Sequence, residues 1–243
     1  MRVASMGYQH VVADLIWLQA IQAMAGQKVP EESGRWIYHA LDVVTTLDPR
    51  FVQAYQAGAI ALCTMVVMPD ESNALLEKGI RNNPQEWMLY FLLGINYYFE
   101  FHNDAKAAEY IAQAARLPLA PGYLAPFAAR LYASAREPQA AIGLLTHMYE
   151  QTNDENVKRV LEQRLREVLV ERDIQLLETA VAQYVKRNTK PLTRLEELVV
   201  SGLISELPRE PFGGTYVYDQ QTRMVTSSVM TTRLQALGRR RVK

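Results

Sequence analysis

The chain has 243 residues, 49% of them hydrophobic, so it is long and apolar enough to bury a sizeable core and is not expected to be disordered. Its 26 Lys and Arg residues balance 26 Asp and Glu residues, which argues against nucleic acid as a partner. The single cysteine, Cys63, excludes an intramolecular disulfide and a zinc site made of clustered cysteines.

Nothing in the sequence as written is long and apolar enough to be a membrane helix. The most apolar run, residues 57–68, is shorter than the roughly 20 residues that such a helix needs, and the first ten residues lack the apolar core of a signal peptide. We therefore expect a protein that is soluble as written. Because an amphipathic pattern begins almost at once, we allow for a leader or membrane anchor upstream of Met1.

The first predicted elements are two helices, over residues 8–25 and 32–47. In the first, Asp14 shares one helical face with apolar side chains, namely Val11, Leu15, Leu18 and Ile21. A carboxylate buried among such neighbours without a partner is costly, so we expect Asp14 to be paired within the fold rather than to bind a ligand.

Prolines then recur at a nearly constant spacing. Pro49, Pro84 and Pro118 lie 35 and 34 residues apart, and each follows a stretch with a helical pattern. Proline lacks the amide hydrogen that would extend a helix and disfavours the α conformation of the residue before it. The three prolines therefore mark the ends of repeats with a period near 34 residues.

The segment between Pro84 and Pro118 predicts a helical hairpin, with a bulky first helix, a polar break at residues 102–104 and an alanine-rich second helix. It resembles the tetratricopeptide repeat family, with one extra residue in the turn. The residues that carry the resemblance are Leu93, Gly94, Tyr97, Ala107, Ile111 and Ala114. Gly94, Ala107 and Ala114 lack bulk, so the paired helices can approach closely. The same spacing of small residues continues before Pro84 and after Pro118, where the next hairpin turn falls at residues 136–138. This gives about four hairpins over residues 1–152. An irregular helical bundle with accidental spacing is the alternative.

A long amphipathic helix is predicted after Asn153 or Asp154, either of which is a good N-cap. Its apolar pattern continues to Tyr184, either as one helix or as two that break near Asp173. Over residues 153–190 it would cap the exposed end of the repeats. Pairing with a partner helix is the alternative role.

The remaining residues, 191–243, change character. They predict a short helix over 195–200, a stop at Gly202, and a β-hairpin of 215–218 with 224–227. The string LEELVVSGLISELPREPFGGTYVYD, followed by VTSS, resembles the region after the long helix of type II secretion pseudopilins, over about 35 residues. Only Asp219 is available where such proteins carry an acidic calcium loop, so no calcium is expected.

The pseudopilin resemblance implies that this segment folds back as a small clip. Phe212 would be an apolar plug, Gly213 and Gly214 would adopt positive φ, and Tyr216 and Tyr218 would share one face of a strand. A basic tail follows, expected to be solvated, at Arg239, Arg240, Arg241 and Lys243.

No catalytic, cofactor or metal site is expected. The four histidines are scattered, with no second histidine at i+4, and there is no nucleophile elbow or glycine-rich phosphate loop. Cys63 lies in an apolar stretch that would raise its pKa. An enzyme built from Asp14 and these histidines is therefore the least favoured class.

The sequence predicts an all-α fold of stacked helical hairpins, a right-handed solenoid of the tetratricopeptide type, with a long capping helix and a small C-terminal β-hairpin clip. The tetratricopeptide resemblance implies a concave groove that binds a partner protein or peptide, lined by Tyr55, Met88, Phe91, Tyr98, Tyr123 and Arg130. Packing against the neighbouring repeat is the other role for Phe91 and Tyr98.

The function expected is a non-catalytic scaffold or adaptor, in assembly of a bacterial envelope, pilus or secretion complex, with the periplasm or envelope as the expected compartment. A membrane contact is expected only through an upstream anchor. The alternative is a homo-oligomer formed through repeat ends or the helix over 155–187.

Overall fold

The structure is a computed structural model that describes residues 8–25, 31–188 and 191–234. Within these residues the chain forms ten helices and one two-stranded antiparallel sheet, as the helical patterns predicted. The helices are α1 (Gln9–Met24), α2 (Glu31–Leu47), α3 (Val52–Thr64), α4 (Pro69–Asn82), α5 (Trp87–Phe99), α6 (Asp104–Ala115), α7 (Leu124–Ser134), α8 (Pro138–Gln151), α9 (Glu155–Arg187) and α10 (Glu196–Val200). The strands are β1 (Tyr216–Tyr218) and β2 (Val225–Ser227).

The chain divides into two compact units, residues 1–124 and 125–243. The sequence-based boundary after residue 152 differs from this division. Within the second unit, helix α8 packs against the long helix α9.

The first unit consists of consecutive helical hairpins. The pairs α1 and α2, α3 and α4, and α5 and α6 each pack side by side, and successive pairs meet through α2 with α3 and α4 with α5. Helix α3 also packs against α5, and α2 against α4. A core cluster of this unit runs from Ala20 to Leu93 and consists mostly of leucine and alanine side chains.

One turn geometry recurs at the predicted period. Val67, His102 and Arg136 all have positive φ, and each lies two residues before the first residue of α4, α6 or α8. These positions are 35 and 34 residues apart, which repeats the spacing of the prolines. A non-glycine residue in the left-handed region is uncommon, so its return at one place in three hairpins shows that the turns are built alike.

A tyrosine contact also returns at this spacing. The Tyr55 hydroxyl lies 3.3 Å from the carbonyl oxygen of Pro49, and the Tyr90 hydroxyl donates to the carbonyl oxygen of Pro84 at 3.2 Å. The Asn83 side chain donates to Pro49 as well, at 2.9 Å. The carbonyl oxygens of these two prolines, which lie just beyond the ends of α2 and α4, thus each have a tyrosine of the next helix as a hydrogen-bond partner.

Helix α9 is one continuous helix of 33 residues, so the alternative of a break near Asp173 is not realised. Its N-cap is Asp154, whose carboxylate accepts hydrogen bonds from the amides of Asn156 at 2.8 Å and Val157 at 3.3 Å. Its C-terminal half forms the core of the second unit, together with Leu192, Leu195, Leu198 and Val225.

The clip after α10 has the predicted form. Gly202 and Gly213 have positive φ, β1 pairs with β2 in the register Tyr216 to Ser227, and Phe212 packs partly buried against the core of this unit. Gly214 does not have the predicted positive φ. A Cβ at Gly214 would lie 2.5 Å from the Ser228 hydroxyl, so a close approach of two chain segments requires this glycine. The basic tail at 239–243 lies outside the described residues.

Candidate partner-binding surface

Glycine allows close packing between helices of the first unit, as predicted for Gly94. A Cβ on Gly94 would lie 2.6 Å from Cγ1 of Ile111 and 3.1 Å from the carbonyl oxygen of Ala107. Gly58 and Gly79 are equally confined, by Leu41 and by the ring of Tyr55. These contacts set the spacing of the helices that carry the surface side chains.

Two of the predicted groove residues are core residues. Tyr55 is 0% exposed and Tyr98 is 2% exposed, so neither can serve as an anchor on an open surface. The Tyr55 hydroxyl lies within 3.3 Å of two backbone carbonyls and accepts a hydrogen bond from Asn82. The prediction that Tyr55 and Tyr98 line a groove is therefore corrected: both are buried between helices. The repeat pattern predicts where an aromatic residue lies along the chain, but it does not show whether that residue faces an open groove or a neighbouring helix.

The other four predicted groove residues are accessible to different degrees. Met88 and Phe91 are half-buried on α5, where the Phe91 ring lies 6.2 Å from that of Trp87. Tyr123 is 58% exposed at the end of the first unit. Arg130 is half-buried on α7 in the second unit.

An open apolar groove occurs elsewhere in the first unit, between α1 and α3. Its volume is about 460 Å³, and we refer to it below as the α1–α3 groove; it is lined by Trp17, Ile21, Met24, Ala25, Ala57, Ile60, Ala61 and Met65. Ile60 and Met65 are large hydrophobic side chains that remain exposed there. Helix α3 carries no charged residue along its whole length. A concave, uncharged surface of this kind is typical of protein interfaces and ligand sites.

The outer face of α1 is also apolar, contrary to expectation. Val11, Leu15, Leu18 and Ile21 are 54%, 57%, 54% and 40% exposed, and Asp14 is exposed among them. The buried side of the helix is formed by Ala13, Ala20 and Met24. The prediction of a buried, paired Asp14 is therefore wrong, because α1 is apolar on nearly every side and its sequence pattern cannot show which side faces the core.

The surroundings of Cys63, on α3, shift the pKa of its thiol. Burial, with a smaller contribution from the Glu100 carboxylate, raises the pKa of the Cys63 thiol to about 11, as its apolar surroundings predicted. His10 lies 3.1 Å from a carboxylate oxygen of Asp48, which ties α1 to the end of α2. Within the described residues, no group of three or more potential metal ligands comes together.

The second unit has a cleft of its own, beside α9, with a volume of about 780 Å³. Its walls combine Arg136, Arg172, Leu176 and Thr179 with the loop at residues 203–208. Both arginines have acidic neighbours: Arg172 binds Asp173 at 2.7 Å, and Arg136 lies 3.8 Å from Glu178. The cleft is therefore of mixed charge and has no obvious ligand class.

Comparison of the chain with protein-family models, with curated proteins and with solved structures gave no match. In the part of the chain that the structure describes, no helix is both long enough and apolar enough to cross a bilayer.

The α1–α3 groove was missed at the sequence level, although two signals pointed to it. Helix α3 lacks charge, and α1 contains Asp14 as its only charged residue apart from His10. A helix without a polar face in a small unit has more apolar surface than its own core can cover. Composition alone could have drawn attention to these helices, but not to the groove that their packing creates.

Proposed function

We propose that the chain is a non-catalytic scaffold or adaptor of tetratricopeptide type, which binds a segment of a partner protein on its first unit. In this proposal the hairpins form a right-handed solenoid. The recurrence of turns and tyrosine contacts at a spacing of 34 to 35 residues supports the repeat architecture. Assembly of a bacterial envelope, pilus or secretion complex, in the periplasm or envelope, is the setting we propose.

The observation that carries the binding role is the uncharged α1–α3 groove, which leaves Ile60 and Met65 exposed. Burial of apolar area is favourable, so a partner that covers the exposed Ile60 and Met65 side chains gains binding energy. The groove also contains Trp17, Met24 and Met65, and tryptophan and methionine are enriched at protein interfaces.

The test uses a photo-crosslinking amino acid at Ile60, in the organism from which the chain comes. We expect one defined protein to be crosslinked there and displaced by untagged wild-type chain. An equally exposed position in the second unit, Val160, serves as the control and should not yield that product. Recovery of the same product from both positions, or of none from Ile60, contradicts the proposal.

A substitution separates this groove from the sequence-predicted surface on α5. Ile60→Asp should abolish partner capture while the helical content stays unchanged, because the side chain is already half in solvent. Phe91→Ala tests the prediction that Phe91, on α5, lines the partner-binding groove. Charge reversal at Arg130 tests the same prediction for α7. Loss of capture in those two variants but not in Ile60→Asp would move the site to the predicted groove.

Self-assembly is the second candidate function. Helix α9 leaves Val157, Val160 and Val185 exposed within one side of the helix, which a second copy of the helix could cover. This function requires a mass that rises with protein concentration in light scattering, and Val160→Lys should suppress the rise. A constant monomer mass rejects it.

A further inference from the structure

The outer face of α1 forms a continuous apolar stripe. Val11, Leu15 and Leu18 are separated by four and three residues, so they lie one above another on the helix surface. Each is more than half exposed. Ile21 follows at the next turn and also lines the α1–α3 groove, so stripe and groove form one surface.

Among the described residues of α1 and α3, Asp14 carries the one Asp, Glu, Lys or Arg charge. Helix α1 contains no Lys or Arg, α3 contains no charged residue, and Asp14 is exposed between the stripe and the groove-lining residues Trp17 and Ile21. Among the described residues, no hydrogen bond or ion pair involves the Asp14 side chain. Any partner that covers the stripe must therefore bury or approach an uncompensated negative charge.

We infer that the surface accepts an α-helix of a partner protein, whose apolar side covers the stripe and groove and whose Lys or Arg meets Asp14. The inference rests on the proposed binding function and specifies the chemistry of the partner. A helix fits because the stripe has helical spacing over more than two turns, which suits packing of ridges into grooves. A basic residue fits because pairing with Asp14 removes the cost of covering that carboxylate.

A second copy of this chain fits less well. An antiparallel pair of α1 helices centred on Leu15 would bring the two Asp14 carboxylates close together, and like charges at short range repel. A lipid surface also fits less well, because interfacial helices carry Lys or Arg on their polar face and α1 has none.

The experiment uses synthetic helical peptides of about five turns, with leucines at the same four-and-three spacing and one central Lys. Matched peptides carry Glu or Gln in place of that Lys. Fluorescence anisotropy with the full chain should show the Lys peptide bound about fivefold more tightly than the Glu peptide at low ionic strength, since pairing and repulsion at an exposed site differ by roughly this factor.

Variants of the chain make the test specific. Asp14→Asn should remove the preference for the Lys peptide over the Glu peptide, and Asp14→Lys should reverse it. Leu18→Ser should lower the affinity for all three peptides. Glu109→Lys on α6, an exposed charge change outside the stripe and groove, is the control and should leave the preference as it is in the wild type.

Each contrary outcome has a distinct meaning. Equal binding of all three peptides, or binding of none, overturns the inference of a basic helix, while crosslinking at Ile60 still decides the proposed function. A dimer that Leu15→Asp dissociates would identify a second copy as the occupant. Flotation with vesicles of phosphatidylcholine and phosphatidylglycerol, lost in Leu15→Asp, would identify a lipid surface. Either result also overturns the inference.

Discussion

Arg233 binds the buried carboxylate of Glu171 through two parallel hydrogen bonds, from Nε to Oε2 at 2.9 Å and from Nη2 to Oε1 at 2.6 Å. Its third nitrogen, Nη1, donates to Glu178 at 2.7 Å. Glu171 is in the middle of α9, whereas Arg233 lies beyond β2, so this pair fastens the end of the described chain to the long helix. The two carboxylates raise the pKa of Arg233, which keeps the guanidinium charged.

Loss of this arginine should destabilise the second unit. Arg233→Met leaves the Glu171 carboxylate buried without its cation, and we expect a loss of about 3 kcal/mol in unfolding free energy. Amide hydrogen exchange along α9 is the suitable measurement, because all three tryptophans lie in the first unit and their fluorescence does not report this region. The double variant Glu171→Gln with Arg233→Met should recover part of the loss. No recovery would mean that the arginine acts through its packing alone.

Tyr216 provides a second tie between the clip and α9. Its hydroxyl donates to the buried carboxylate of Asp173 at 2.9 Å, and burial together with this bond raises the pKa of the tyrosine. Tyr216→Phe removes the donor and should cost about 1–3 kcal/mol, measured by hydrogen exchange in α9. Tyr218→Phe, on the same strand face, is the matched control with little expected effect, since none of the described contacts of Tyr218 is a side-chain hydrogen bond. Equal effects of the two variants would contradict the role of the hydrogen bond.

Two glycines within helices should respond to alanine in opposite directions. At Gly94 a Cβ would meet Ile111 at 2.6 Å and a backbone oxygen at 3.1 Å, so Gly94→Ala should lower the stability of the first unit by about 1–3 kcal/mol. At Gly143, within α8, a Cβ would meet nothing within 4 Å, so Gly143→Ala should stabilise the helix by about 0.5–1 kcal/mol. Tryptophan fluorescence during urea unfolding reports the first change, and hydrogen exchange in α8 reports the second. A neutral Gly94→Ala would contradict the close packing of α5 on α6.

The start of α10 should weaken in acid. A hydrogen bond from the Thr193 hydroxyl, supported by backbone amides of Thr193 and Arg194 and by the Tyr184 hydroxyl, lowers the pKa of Glu197 to about 2. A lowered carboxyl pKa contributes stability above its usual value near 4.5 and loses that contribution as the pH falls towards 2. The protection of the α10 amides, expressed relative to their intrinsic exchange rate at each pH, should therefore decrease over that range. Glu197→Gln should be less protected at neutral pH and should lack this acid-dependent step.

Cys63 should react slowly with alkylating reagents. With its pKa raised to about 11, the thiol is almost entirely protonated at pH 8, and each unit of pKa lowers the reactive thiolate about tenfold. Iodoacetamide should therefore modify the folded chain about a hundredfold more slowly than it modifies the chain in urea. The rate in the folded chain should continue to rise with pH above 9. Equal rates in the folded and unfolded chains would show that the thiol is not protected.

The sequence by itself determined the helices, their turns and their period. Proline cannot continue a helix, Asp154 caps one, and Gly202 ends another, so local chemistry placed α1, α2, α9, α10 and the β-hairpin close to their observed bounds. These are effects between residues near each other in the chain. They depend little on what packs against each helix, which is why the pattern predicted them.

Only the tertiary structure decided which sides of the helices are covered. Helix α1 is apolar on nearly every side, so burial of Ala13 and Ala20 rather than Val11 and Leu15 followed from the shape of its neighbours. Tyr55 is buried for a similar reason, because Gly79 gives its ring space. The buried ion pair between Glu171 and Arg233 joins residues 62 positions apart, a contact that no local pattern encodes. The groove between α1 and α3 was also decided by the tertiary structure, because side chains of both helices line it.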